Sequence, residues 1–241
     1  MTRSQVMITI IGTAHVFDIS NRVKDEIVTR DPSVVAVELD KQRYAALKSK
    51  DKSSKDVPLM YRAMSILQKK IADDFGVQVG SEMLVAIETA KALGIGVAFI
   101  DLPANLVFKK MMASMSLKEK IYFIAGMIAG IFTSKKRVEK EMERYEKNEA
   151  DYMDILEKNM PSVSKVLIQD RNKYMAENIK ELERRYENVV AVVGDGHVPG
   201  LLKELDGEDV ETVRLRQLRN EDESRSNSDV SFSFSYRMKD Q

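Results

Sequence analysis

The two histidines of this chain occur in the same local sequence. His15 lies in the segment GTAHV at 12–16, and His197 lies in the segment GDGHV at 194–198. Each segment follows a short apolar run, so both places predict a strand, Gly-x-x-His-Val and then a helix. Such strand-to-helix turns line the ligand crevice of open α/β sheets. One such histidine could simply cap a helix or hydrogen-bond a loop, but two in the same context indicate a shared site.

Three more charged residues are candidates for that site. Glu38 ends a buried strand one βαβ step from His15, so we expect the two strand ends about 5 Å apart. A carboxylate there could ligate a metal, orient a histidine or act as a general base. Arg43 lies in the first turn of the next helix, where a cation needs a carboxylate such as Glu38 or a bound anion to compensate the helix dipole. Arg171 falls on the apolar stripe of a helix over 162–186 and needs a partner. That partner belongs either to a structural salt bridge or to a substrate or oxyanion.

Other acidic residues extend the set of candidates. Glu88 lies among Leu84 and Ile87 on a predicted helix, much as Arg171 lies on its own stripe, and Asp101 ends the third strand. Asp170 directly precedes Arg171 in the chain. The sequence contains no Gly-x-Gly-x-x-Gly, Walker A, Gly-x-Ser-x-Gly or His-Glu-x-x-His motif. It therefore lacks the signature motifs of the common nucleotide-binding proteins, serine hydrolases and zincins.

The elements that position these residues predict an α/β fold with a mostly parallel central sheet flanked by helices. It would contain a strand–GxxH–helix segment near each end of the chain and a long helical insertion between them. Continuous β-branched runs predict strands buried on both faces. The predicted strands cover 6–11, 33–39, 97–100 and 188–193, and the alternating run 210–215 predicts an edge strand. Predicted helices cover 41–49, 59–74, 81–93, 104–113, 117–158 with a break near 133–134, 162–186 and 198–205.

Length and composition predict one α/β domain over 1–219 and a disordered tail over 220–241. The insertion 104–186 contains an apolar part at 111–132, which predicts a buried hairpin or a homodimer interface. The 38 basic and 38 acidic residues balance, and this argues against nucleic-acid binding. There is no cysteine and no visible signal peptide, and the longest apolar run, 121–132, falls short of the about 20 residues of a membrane span. We therefore expect a cytoplasmic protein.

In these motifs the chain resembles the TraB/PrgY family. The matching segments, in order, are IGTAHV at 11–16, VAVELD at 35–40 followed by Arg43 and Tyr44, GSEM at 80–83, DRNKYMA at 170–176, and VGDGHVPG at 193–200. The family is similar to the Tiki proteases, the ChaN-like proteins and the erythromycin esterases. This resemblance implies an α/β sheet in two GxxH halves and hydrolytic activity, which is metal-dependent in Tiki proteases. TraB and PrgY are associated with shutting down a peptide pheromone.

Carried over by motif, the resemblance assigns His15 and His197 to the histidine pair, Glu38 to the acidic position, and Arg43 and Arg171 to the arginines of the family. The sequence departs from the family pattern at Leu102-Pro103, where an arginine is expected, and at Asn172, where aspartate is commoner. Many relatives carry C-terminal membrane spans. Membrane association is therefore expected only through segments absent from this chain, in a longer form.

Two classes of function follow as hypotheses. In the first, His15, His197 and Glu38 bind zinc, manganese or cobalt, or one histidine acts as a general base without metal. Glu38, Arg43 and Arg171 would be catalytic, and Arg43, Arg171, Asp170 and Glu88 would bind the substrate, a small peptide signal or an ester. In the second, the same fold captures a peptide or small molecule without turnover. A dimeric scaffold is compatible with both.

Overall fold

A parallel five-stranded sheet forms the centre of the protein. The computed structural model describes residues 7–14, 19–48 and 80–219. The strands are β1 (Met7–Thr13), β2 (Val34–Val37), β3 (Gly96–Phe99), β4 (Asn188–Gly194) and β5 (Val210–Val213). Every pairing is parallel. The predicted fold class is thus confirmed, and β5 lies at the edge of the sheet as expected.

The strand order corrects the predicted neighbours of the site. The order is β3-β2-β4-β1-β5, so β4 lies between β1 and β2. Glu38, which follows β2, is therefore adjacent to the turn that carries His197 and not to the strand end that precedes His15. The connection from β1 to β2 skips one position in the sheet, and the last long strand of the chain fills that position. The arrangement as two related halves stays a prediction, because residues 15–18 lie outside the described ones.

Helices cover both faces of the sheet. The bounds are α1 (Ser20–Arg30), α2 (Lys41–Lys48), α3 (Ser81–Ala92), α4 (Ala104–Ser114), α5 (Leu117–Ile131), α6 (Lys135–Lys147), α7 (Glu149–Asn159), α8 (Pro161–Ser164), α9 (Asp170–Glu183) and α10 (Val198–Glu204). A π-helical turn, Lys165–Gln169, joins α8 to α9. The predicted helix 59–74 and tail 220–241 lie outside the described residues.

The apolar residues form two layers, one on each side of the sheet. On one side, Val23 and Ile27 of α1 and Ile87 of α3 pack with Val35 and Val192. On the other side, α9 and α10 pack with the alternate residues of the same strands, which bury Met175, Ile179 and Leu201. Strands covered on both faces are apolar at most positions, which explains the nearly continuous β-branched runs of the sequence.

The predicted helical insertion is a set of shorter helices with an apolar centre of its own. Val107 and Met111 of α4 pack with Val163 and Val166, beside the sheet layers. The helical segment predicted over 117–158 is interrupted at 132–134, near the expected break, and a second time at Asn148, whose backbone (φ −138°, ψ 44°) leaves the helical region. Along α5, apolar side chains such as Ile121 and Ile128 are exposed. The homodimer through this region stays a prediction.

Candidate functional site

Charged residues meet where the parallel strands end. Glu38 directly follows β2, Asp101 follows β3 after one residue, and the short 3-10 turn Asp195–His197 follows β4. Because all strands run in the same direction, these positions share the carboxyl edge of the sheet, where ligands bind in open α/β folds. His15 follows β1 and lies outside the described residues.

Arg171 connects two of these strand ends. Its Nε donates to Asp101 Oδ1 at 2.9 Å, and its Nη2 donates to Asp101 Oδ2 at 2.8 Å and to Glu38 Oε1. The three side chains are largely buried, with 13% of Arg171, 12% of Glu38 and 2% of Asp101 exposed. The predicted partner of this arginine is therefore a pair of carboxylates. Charge-assisted, bidentate contacts of this kind fix the guanidinium in one orientation.

The π-helical turn contributes to the position of Arg171. A wider turn changes the phase of the helix, and such turns are frequent at functional sites. Arg171 follows the turn after one residue, and its Nη1 donates back to the Leu167 carbonyl oxygen at 3.2 Å. A carbonyl oxygen and two carboxylates therefore receive the donors of one guanidinium. The arginine points across the strand ends even though it starts on an apolar helix face.

His197 is held by the amide of Asn172. The ring atom Nδ1 lies 2.6 Å from Asn172 Oδ1, and only 8% of the His197 side chain is exposed. A carbonyl oxygen only accepts hydrogen bonds, so in the neutral ring Nδ1 carries the hydrogen. Nε2 is then an acceptor, and it lies 3.4 Å from Glu38 Oε1. The close packing requires Gly200, since a Cβ there would lie 1.9 Å from the Asn172 amide nitrogen.

A second ion pair anchors the turn that carries His197. Asp195 accepts from Arg214 Nε at 2.8 Å, from Arg214 Nη2 at 2.7 Å, and from the Leu215 backbone N–H at 2.9 Å. The carboxylate lies so close to β1 that a Cβ on Gly12 would be 2.2 Å from Asp195 Oδ1. The first glycine of one Gly-x-x-His segment thus makes room for the acidic residue of the other.

Burial and neighbouring charges set the protonation states of Glu38 and His197. Burial by itself would raise the pKa of Glu38, but the charges of His197 (when protonated) and Arg171 outweigh it. Together with the Gly194 N–H, which donates to Glu38 Oε2 at 2.6 Å, they hold this pKa below its usual value. Burial lowers the pKa of His197, and the nearby Glu38 carboxylate only partly opposes this. Near neutral pH the site therefore holds a carboxylate beside a neutral imidazole.

This protonation predicts a pH dependence of stability. The unfolded chain binds the His197 proton near its ordinary pKa of 6.5, whereas the folded protein binds it only at lower pH. The free energy of unfolding should therefore fall as the pH drops below that value, by up to about 1.4 kcal/mol per pH unit. The lowered pKa of Glu38 acts in a lower window, below its ordinary value of 4.5. Urea unfolding between about pH 5 and 8 with a chelator measures the slope.

The control is His197→Gln, which keeps a polar side chain of similar length and does not titrate. The native protein should lose stability more steeply than the variant as the pH falls below 6.5. Equal slopes would show that His197 does not bind its proton differently in the folded and unfolded states.

The described donors fit two positions of a divalent-ion site. Two ligands of a tetrahedral ion at bonds of about 2.1 Å lie roughly 3.4 Å apart. Nε2 of His197 and Oε1 of Glu38 are separated by 3.4 Å. Within the ranges described, no group of three or more His, Cys, Asp or Glu side chains could hold a metal ion. The predicted third ligand, His15, lies outside those ranges.

The structure brings some predicted residues together and leaves others apart. Glu38, Arg171 and His197 form the cluster, and Arg43 lies at its edge, with Nη1 3.8 Å from Asp101 Oδ2. The carboxylate near Arg43 is thus Asp101 and not Glu38. The predicted substrate-binding residues Asp170 and Glu88 contact other groups. Asp170 pairs with lysines, 2.7 Å from Lys110 Nζ and 2.6 Å from Lys165 Nζ.

The predicted position of Glu88 on an apolar helix face is wrong. Glu88 is exposed, because the buried face of α3 consists of Met83, Ala86, Ile87 and Ala90, with the polar Glu82 and Thr89. The buried face therefore does not include Glu88, although Glu88 is close to Leu84 and Ile87 in the sequence. The structure places its charge near Lys48 at the surface.

Asn172 was missed by the sequence prediction of site residues, and Asp101 was a candidate without an assigned role. The structure makes Asp101, at the acidic end of the third strand, a partner of Arg171. Asn172 gave a fainter signal, a polar residue next to Arg171. Its contact with His197 depends on the angle between α9 and the turn after β4, which the sequence does not specify.

The fold and this cluster define an α/β protein with buried, paired charges at the carboxyl edge of a parallel sheet. Comparison with known proteins agrees with that class. The profile of the TraB/PrgY/gumN family matches residues 1–212, and the chain belongs to this family. Similarity to the Tiki and ChaN-like proteins stays a prediction.

Relatives at moderate identity extend over most of the chain. The chain is 28% identical over 233 residues to an uncharacterized protein of Methanocaldococcus jannaschii, covering 90% of this chain and 59% of that protein. It is 26% identical to a TraB domain-containing protein of Bos taurus and 27% identical to one of Homo sapiens, each over 238 residues. These matches cover 80% of this chain and 61% of each relative. The chain thus spans about three fifths of the length of these relatives. Within the part of the chain described, no helix is long and apolar enough to cross a membrane.

Proposed function

We propose that this chain is a hydrolase of peptide or ester bonds whose reaction centre lies between His197 and Glu38. The observation that carries this proposal is the convergence of a neutral imidazole nitrogen and a carboxylate oxygen, 3.4 Å apart, at the carboxyl edge of the sheet. Both groups are largely buried, and each is oriented by a second contact, His197 by Asn172 and Glu38 by the Gly194 N–H. Groups held this firmly suit proton transfer or metal binding, in which small displacements are costly.

A divalent ion would be held by His197 and Glu38, with His15 as the proposed third ligand; zinc, manganese and cobalt all accept such donors. Such an ion supplies Lewis acidity and lowers the pKa of a bound water. Nε2 of His197 would accept the proton of the attacking water where it holds no metal, and the Glu38 carboxylate would accept it where Nε2 is a metal ligand. In the balanced reaction the water oxygen bonds to the carbonyl carbon, the C–N or C–O bond breaks, and the proton passes to the leaving group.

The arginines would act on negative charge. Arg171 already donates to Glu38 and Asp101, so its main effect is to fix the carboxylate and place positive charge beside the reacting centre. Arg43 is better suited to contact a substrate, because 37% of its side chain is exposed and its nearest carboxylate atom is 3.8 Å away. We assign Arg43 to binding a carboxylate or the developing oxyanion.

One observation favours a second candidate, a binding protein that captures a small peptide or another small ligand without turnover. The Arg171 guanidinium donates to Glu38 Oε1, the same oxygen that lies near His197. A cation on that oxygen competes with a metal for it. The family resemblance to pheromone shutdown fits either candidate, since both cleavage and capture remove a free peptide.

Metal analysis joined to a substrate screen tests the proposal. Native protein and a His15→Ala/His197→Ala double variant are purified without chelator or metal affinity resin, then assayed with blocked peptides and esters. We expect about one divalent ion per native chain, its loss in the variant, and turnover only by the native protein. Lys24→Ala, at an exposed position of α1 that lines neither side of the site, is the matched control. Turnover by the double variant would overturn the proposal, and ligand retention without any turnover would favour the binding protein.

A further inference from the structure

A cavity lies beside Arg171, and His197 is not among the residues that line it. It has a volume of about 260 Å³, and its walls are mostly apolar. They are formed by Val107, Phe108 and Met111 of α4, Phe123 of α5 and Leu167 of the π-helical turn. Dedicated ligand pockets range from about 300 to 1,000 Å³, so this cavity suits one apolar side chain and not a whole ligand.

Charged groups line the same cavity. Asp101 and Arg171 form part of the wall and are already bound to each other. Arg43 also lines the cavity, and its Nη1 is 3.8 Å from Asp101, beyond the range of a good hydrogen bond. The planar guanidinium offers several donors in a fork that matches a carboxylate. An apolar group inside the cavity would therefore lie next to a cation suited to a carboxylate.

The cleft on the His197 side has the opposite charge. It has a volume of about 350 Å³, and it contains Asn172 and Gly196 beside the histidine. Three carboxylates, Asp154, Glu157 and Glu204, line it together with one lysine, Lys203. A ligand with one negative end is thus favoured on the Arg43 side and disfavoured in this cleft.

We propose that the cavity binds the carboxyl-terminal residue of a peptide, with its apolar side chain among α4, α5 and Leu167 and its carboxylate on Arg43. The inference rests on the proposed function and specifies its substrate class: peptides whose C-terminal residue is Leu, Met or Phe and carries a free carboxylate. Because Arg171 belongs to the cavity wall and also contacts Glu38, the bound residue lies beside the proposed reaction centre. Cleavage would add water across a peptide bond near the carboxyl end and release a new carboxylate and a free amine.

Binding of matched tripeptides tests this assignment by calorimetry. The probes are N-acetyl-Gly-Gly-Leu as the free acid, the same peptide as its C-terminal amide, and N-acetyl-Gly-Gly-Ser as the free acid. We expect the leucine acid to bind about 10-fold or more tightly than either of the others, since one charge-assisted contact or one buried apolar side chain supplies at least that ratio. Equal binding of acid and amide, or no binding of the leucine acid, would overturn the proposal.

Two variants identify the residue that reads the carboxylate. Arg43→Gln should remove the preference for acid over amide. Lys41→Gln lies in the first turn of the same helix, removes the same charge from an exposed side chain, and should keep the preference. Retention of the preference in Arg43→Gln would contradict the assignment.

The His197→Gln variant separates this inference from the proposed function. Binding of the leucine acid should be the same in this variant as in the native protein, since His197 does not line the cavity. If the acid preference holds but the native protein hydrolyses no peptide, the binding site stands and the hydrolase fails. If peptides are hydrolysed with no preference for a free apolar C-terminus, the hydrolase stands and the binding site fails.

Discussion

Replacing Arg171 with methionine should lower the free energy of unfolding by about 3–5 kcal/mol, the usual cost of removing one partner from a buried ion pair. Methionine fills much of the same space but leaves two largely buried carboxylates, Glu38 and Asp101, without their common cation. The loss should be measurable by urea unfolding at neutral pH. The penalty has one physical source, the carboxylates left behind, and not the loss of the arginine contacts as such.

An arginine from an exposed pair is the matched control. Arg185 belongs to a salt bridge with Glu181, and 66% of its side chain is exposed. Arg185→Met should cost no more than about 1 kcal/mol, as exposed pairs are well solvated without their partner. Adding Glu38→Gln and Asp101→Asn to Arg171→Met should recover part of the lost stability. A cost for Arg171→Met no greater than that for Arg185→Met would contradict the account.

Such a network stabilises one arrangement of the strand ends more than it stabilises the fold. Desolvation of three charges offsets much of the attraction between them. In return, the position of Glu38 is specified from both sides, by Arg171 on Oε1 and by the Gly194 N–H on Oε2. A carboxylate restrained in this way stays aimed at His197, which suits a site that must hold a metal or a proton at one place.

The sequence predicted this site where two simple rules apply. Parallel strands bring their carboxyl ends to one edge, so Glu38 and His197 could be placed together without knowing the strand order. A charge on an apolar helix face needs a partner, so Arg171 could be assigned to an ion pair or a ligand. Both inferences depend only on the local residue pattern and on the cost of burying a charge, and both can be judged from the sequence alone.

The predictions that failed depend on contacts between distant segments. Nothing local shows that β4 lies between β1 and β2, because strand order reflects how helices pack on the completed sheet. The expected proximity of Glu38 to the strand before His15 failed for that reason. Asn172 was missed in the same way, since its role comes from the approach of α9 to the turn at His197. Sequence patterns thus predict the kinds of residue at this edge of the sheet but not which of them are in contact.

Replacing His197 with glutamine should lower kcat/KM of the proposed hydrolysis by about 10³-fold, within the usual range for loss of a group that transfers a proton. Asn172→Leu should cost less, about 10–100-fold, as expected for a residue that orients a metal ligand or base. The reason is the ring tautomer: without the Asn172 oxygen, Nδ1 loses its acceptor at 2.6 Å, and Nε2 is no longer fixed as the free nitrogen. The loss should appear in kcat more than in KM, since Asn172 orients the reacting group.

Asn172→Asp distinguishes orientation from mere packing. Aspartate keeps the acceptor for Nδ1 and the approximate shape of the side chain, so it should restore most of the rate lost in Asn172→Leu. Its added negative charge should also raise the pKa of His197, so that the acidic limb of the pH–rate profile moves to higher pH. Asn178→Leu, on the same helix and away from the histidine, should leave the profile unchanged. An Asn172→Asp enzyme as slow as Asn172→Leu, with the native pH profile, would mean that Asn172 only fills space beside Gly200.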